Sequence, residues 1–179
     1  RLNPLHRTPI PLRSMPCTER AVLRPMTALD LQLQLILEVA IAMLLGGIVG
    51  VERELADKPA GLRTHMFTAG AAGLLVGLSN ALVEQFAATG NAIEADPIRV
   101  IQAIIIGISF IGAGTIFRRD ERSHVEGLTT AASLLMSAGL GVAAALQQFL
   151  VAAAVAVLSL IVLRAMKWLG DRLAGRAKE

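Results

Sequence analysis

The chain of 179 residues has one cysteine, Cys17, no tyrosine, one tryptophan and five phenylalanines. A single thiol excludes an intrachain disulfide framework, and the absence of a CxxC pair or a Cys/His cluster excludes the usual zinc and redox sites. Charge is scarce as well, at 17% of residues against about 25% in ordinary soluble domains. Proline is missing from every long apolar stretch, five of the seven prolines lying in the first 25 residues. What the chain does have is apolar bulk, 54% hydrophobic residues and a mean hydropathy of +0.61. These residues gather in runs of roughly 18 to 22, enough to cross about 30 Å of hydrocarbon at 1.5 Å per residue. An all-α integral membrane protein follows, with about five closely packed spans.

The runs fall at about 31–51, 64–86, 98–117, 127–146 and 149–168. Asp96 before Pro97 reads as an N-cap with proline at the first helical position, and Ser123 three residues before Glu126 reads as a capping box. The 37 residues from Gly127 to Leu163 hold no charge, and as one helix they would be about 55 Å long, so they must fold back. Gln147 and Gln148 form the polar pair that leaves a span on each side; a break at Gly139–Gly141 is the alternative.

With five spans, the loops after the first and third share a side with the C-terminus. That side carries Arg53, Lys58, Arg63, Arg118, Arg119, Arg122, Arg164 and Lys167, whereas the opposite loops offer only Arg99. The positive-inside rule then places the C-terminus in the cytoplasm. Arg1, Arg7, Arg13, Arg20 and Arg24 oppose this assignment. Residues 1–29, Pro-rich and without the apolar core of a signal peptide, read as a disordered or misassigned extension. Residues 30–169 form the membrane domain and 170–179 a cytoplasmic tail. The pI of about 9.7 reflects topology rather than nucleic-acid binding, because the basic residues flank spans.

Glycines punctuate the runs. Gly46 with Gly50 and Gly73 with Gly77 are small residues at i and i+4 that let helix backbones approach closely, within the chain or in a dimer. Gly47, Gly70, Gly107, Gly112, Gly114, Gly127, Gly139 and Gly141 add to these surfaces. Thr129, Ser133 and Ser137, four apart, share a helix face, and Gln102 and Ser109 are their expected partners across a helix contact. Glu38 and Glu84 interrupt the first two runs toward the outer side; they are either solvated near the interface or part of a cation-attracting site. Between the first two spans, Glu52, Arg53, Glu54, Asp57, Lys58, Pro59, Gly61, Arg63, Thr64 and His65 form a short mixed-charge loop. Pro59 and Gly61 force a turn expected to return Arg63 to Glu52 or Glu54 as a salt-bridged cap. His65 reads as a solvated or hydrogen-bonded group with the capacity to titrate near neutral pH. Trp168 reads as an interfacial anchor.

Four segments taken in order, Gly46–Glu54, Lys58–His65, Gly107–Gly114 and Gly127–Ser133, with Thr129 and Thr130 in the last, closely resemble the MgtC/SapB family of bacterial inner-membrane proteins. The resemblance covers about residues 30–168. It implies a small multi-helix protein that supports growth at low magnesium without carrying magnesium itself, acting on the F-type ATP synthase or on ion homeostasis. Many members carry a soluble C-terminal domain, and the chain reads as the short form without it.

Three function classes are compatible with these features. The first is a non-enzymatic regulator that packs against a membrane complex or a second copy, in the lipid bilayer of the inner membrane, under magnesium limitation or acid stress. The second is a small Mg²⁺ or H⁺ channel or transporter using Glu38, Glu84, Gln102 and Ser133, although no repeats or broken helix pairs support the usual transporter plan. A membrane enzyme is the third and weakest, because no nucleophile with a base, paired catalytic carboxylates or phosphate loop can be assembled. No cofactor and no metal ligand set is expected.

Overall fold

A computed structural model describes residues 28–88, 96–118 and 125–176. Within them the chain forms α1 (Ala28–Leu55), α2 (Leu62–Ala88), α3 (Pro97–Gly114), a two-stranded antiparallel ribbon of β1 (Phe117–Arg118) and β2 (Val125–Glu126), α4 (Leu128–Ala145) and α5 (Phe149–Arg176). Helices α1, α2, α4 and α5 are long and apolar enough to cross a membrane, and the apolar part of α3, Ile98–Gly114, is shorter.

Local signals set several boundaries. Asp96 caps α3 as expected, its Oδ1 accepting the Ile98 N–H at 3.0 Å, with Pro97 in the first turn. The α4–α5 turn falls at Gln147, which adopts φ +57°, so the alternative break at Gly139–Gly141 is overturned: both glycines lie inside α4. The capping box at Ser123 and Glu126 is corrected too. Glu126 belongs to β2, and the N-cap of α4 is Gly127 at φ +95°, without a side-chain cap bond. Only glycine adopts that left-handed conformation without cost, and a Cβ there would strike the Thr115 carbonyl. Gly127 is therefore a turn residue rather than a packing residue. Ser123, Arg119, Arg122 and residues 1–27 lie outside the described residues. Helix α5 continues to Arg176, through most of the segment expected as a tail.

The core is built on α1, α2 and α4. Helix α1 runs antiparallel to α2, with Gly50 against Leu62, Gly46 against His65 and Ala69, Met43 against Gly70, and Leu35 against Gly77. Helices α2 and α4 run parallel, since His65 meets Ser133 near their starts, Gly73 meets Gly141 at mid-height, and Gly77 and Glu84 share a cleft with Gln147 at their far ends. A parallel pair forces the intervening chain back across the same height. Helix α3 makes that return: Val100, near its start, packs on the cluster holding Ala145, while Gly112, near its end, touches Ala131. The five helices thus alternate in direction, and the two ends of the helical domain emerge on opposite faces.

Small residues make this packing possible. Without a hydrophobic drive between helices in lipid, association rests on close van der Waals contact. Ala42, Ala69, Ala72, Ala138, Ala144, Ala152 and Ala156 are all buried. The expected packing glycines divide, however. Gly46, Gly47, Gly50, Gly70, Gly73, Gly77, Gly112 and Gly141 have neighbours within the bundle, whereas a Cβ at Gly107, Gly114 or Gly139 would meet nothing within 4 Å. For Gly107 and Gly114 the expectation of packing within the chain is corrected, because they sit on the side of α3 away from the core.

Candidate functional site

Polar groups collect at both ends of the three-helix core. At the end formed by the C-terminus of α1 and the N-termini of α2 and α4, Glu52 and Arg53 are buried and paired, with the guanidinium Nε and Nη2 both 2.6 Å from Glu52 Oε2. The expected partner Arg63 is exposed instead, as are Lys58, Pro59 and Thr64, and the salt-bridged cap through Arg63 is thereby corrected. Glu54 takes a different role. Its Oε2 accepts the Leu62 N–H at 3.0 Å, so a carboxylate sits at the positive N-terminal end of α2. A Cβ at Gly61 would overlap the Glu54 carboxylate, so a larger residue there would displace this cap.

His65 is fully buried rather than solvated. Its Nδ1 donates to the Gly61 carbonyl at 2.8 Å, and its Nε2 lies 3.0 Å from Ser133 Oγ on α4. The Ser133 hydroxyl also reaches the Thr130 carbonyl at 2.8 Å, so one hydroxyl proton serves two acceptors when the ring is neutral. The inward face of α4 is thus Thr130, Ser133 and Ser137, all buried, while Thr129 is exposed. Gln102 and Ser109 do not meet this face. Both are exposed on α3, Ser109 bonding its own helix at the Ile105 carbonyl. The true partner of Ser133 lies 68 positions away on α2, and nothing in helical periodicity marks it. Ser133→Ala is expected to cost about 1–3 kcal/mol by leaving a buried imidazole nitrogen without a partner, read by thermal unfolding in detergent; Thr129→Ala should leave stability unchanged.

At the opposite end, an open cleft of about 130 Å³ is lined by Leu31, Gln34, Leu35 and Glu38 of α1, Gly77, Asn80, Ala81 and Glu84 of α2, Ala145 of α4 and Gln147 of the following turn. Glu38 and Glu84 therefore share one site. Glu84 is exposed, but Glu38 is only 7% exposed, so simple solvation at an interface is overturned for it. Glu38 Oε1 accepts from Gln34 Nε2 at 2.9 Å and from Gln147 Nε2 at 3.1 Å. The Gln147 contact spans 109 positions and has no local mark in the sequence, where the residue reads as a turn marker only. Among the described residues no group of three or more His, Cys, Asp or Glu is placed to hold a metal.

These features define a small polytopic helical membrane protein with a glycine- and alanine-packed core and a polar station at each end. The MgtC family model matches residues 39–172, and the chain belongs to the MgtC family. It is 39% identical to Protein SapB of Bacillus subtilis over 109 residues, covering 61% of this chain and 46% of that protein. Protein MgtC of Salmonella typhimurium strain LT2 is 40% identical over 114 residues, covering 64% and 44%. Protein MgtC of Brucella abortus is 42% identical over 101 residues, covering 56% and 38%. The matched segment thus spans less than half the length of each relative. No solved structure matches the chain.

Proposed function

We propose that this chain is a non-enzymatic regulator in the bacterial inner membrane, acting on ion homeostasis or on a membrane complex such as the F-type ATP synthase under magnesium limitation or acid stress. The observation that carries this reading is the closure of the core between its two polar stations. Gly46 lies against the His65 carbonyl, Gly73 against the Gly141 carbonyl and Gly141 against the Ala69 carbonyl. Backbone in contact with backbone leaves the mid-height of α1, α2 and α4 to helix packing rather than to an ion path. Gly107 and Gly114, which have no neighbour, flank Phe110 at 83% exposure on α3, a surface suited to another membrane helix, either of a partner complex or of a second copy. Exposed Lys58, Arg63 and Arg164 against Glu84 and Asp96 at the opposite ends of the helices support a cytoplasmic C-terminus.

A cation channel or transporter is the second reading, favoured by the meeting of Glu38 and Glu84 in one cleft. Two of its expected residues, Gln102 and Ser133, lie elsewhere. Flux of Mg²⁺ and H⁺ into liposomes holding the folded protein separates the two. No flux above protein-free liposomes is expected; flux abolished by Glu38→Gln/Glu84→Gln would replace the regulator with a transport protein.

A further inference from the structure

We infer that the cleft between α1, α2 and the α4–α5 turn binds a divalent cation that retains part of its water shell. Five polar side chains line it: Gln34, Glu38, Asn80, Glu84 and Gln147. Among the described residues no lysine, arginine or histidine lines the cleft, so the two carboxylates share it there without a counter-charge. A carboxylate held away from water normally carries a cationic partner. Glu38 is more than nine-tenths buried and its hydrogen bonds come only from neutral amides, both to Oε1. Its Oε2 makes no hydrogen bond among the described residues and lies on the side of Gly77, a residue of the cleft wall. One acceptor oxygen is thus fixed by two amides, and the other lies beside Gly77 on the cleft wall, 3.9 Å from where a Cβ at that glycine would sit.

The chemistry of the lining selects the class of ligand. Every donor is a hard oxygen or an amide: two carboxylates, with Gln34 and Gln147 keeping carbonyl oxygens after donating through nitrogen. Soft metals prefer thiolates and imidazoles, which the cleft lacks, whereas Mg²⁺ and Ca²⁺ take carboxylates, amide carbonyls and water. Two carboxylates match a double positive charge. A volume of about 130 Å³ has room for an ion with several of its waters, the state in which Mg²⁺ is usually held by one or two carboxylates.

Such a site goes beyond the regulator reading, and binding at equilibrium is measured without a gradient, so its failure and a flux result are separate. The test is titration of the purified protein in detergent with MgCl₂ and with CaCl₂, followed by calorimetry and by the unfolding midpoint, with KCl at matched ionic strength as control. Saturable binding of one ion per chain is expected, with a raised midpoint that KCl does not reproduce. Glu84→Gln, at an exposed position that does not threaten the core, is expected to weaken binding by about tenfold or more; Glu38→Gln should do at least as much. Stabilisation equal in KCl, or a Glu84→Gln protein that binds like the wild type, would overturn the site.

Discussion

Gly141→Leu is expected to prevent the three-helix core from closing, with loss of most folded protein. A Cβ at Gly141 would overlap the Ala69 carbonyl oxygen and lie 3.1 Å from Ala69 Cα. The obstacle is backbone, which cannot turn aside as a flexible side chain does, and Gly73 presses on the Gly141 carbonyl from the same helix α2. Overpacking costs about 1–3 kcal/mol where side chains can adjust and more where a helix must move, against a total stability of roughly 5–15 kcal/mol. The matched control is two residues away. Gly139 lies in the same helix with nothing within 4 Å of its Cβ position, so Gly139→Leu should be neutral or should stabilise by up to about 1 kcal/mol through helix propensity. Thermal unfolding by circular dichroism of the two variants in one detergent checks the contrast. Equal midpoints would mean that α2 and α4 do not touch where the structure places them.

Arg53→Met is expected to destabilise by about 3–5 kcal/mol, because it strands Glu52 as an unpaired buried charge. Neighbours in sequence point in different directions on a helix, and this pair forms because the guanidinium bends back to place two nitrogens on Glu52 Oε2. Both side chains are about 6% exposed, so water offers little compensation. Replacing both partners, as in Glu52→Gln/Arg53→Met, should recover most of the loss, since a buried pair often contributes little net stability while half a pair is costly. Unfolding of the wild type, both single variants and the double variant closes the cycle. Additive losses would show that the two charges do not depend on each other.

The membrane class, the helices and the Gln147 turn were legible because each is a local property. A run of apolar residues declares its length, and Asp96 before Pro97 declares a helix start through bonds within three residues. The candidate sites were legible only in part. Glu38 and Glu84 stood out as acids in apolar surroundings, and Glu52, Arg53, Glu54 and His65 as a charged loop, but not their partners. Arg63 was the natural choice for the acids of the loop by charge and distance along the chain. The structure gives Glu52 to Arg53 and Glu54 to the N-terminus of α2, because a helix end offers unbonded N–H groups that compete for a nearby carboxylate.

By itself the sequence determined that this is a bundle of membrane helices with glycine-rich contacts, since span length and small residues are counted along one chain. Tertiary structure alone decided which glycines are used, that α2 and α4 run parallel, that His65 meets Ser133, and that Glu38 meets Gln147 in a cleft shared with Glu84. The physical reason is the solvent. In water, the contrast between polar and apolar faces tells a helix which side to bury. In lipid a helix is apolar all round, so Gly139 facing outward and Gly141 facing inward read alike until the neighbouring helix is in place.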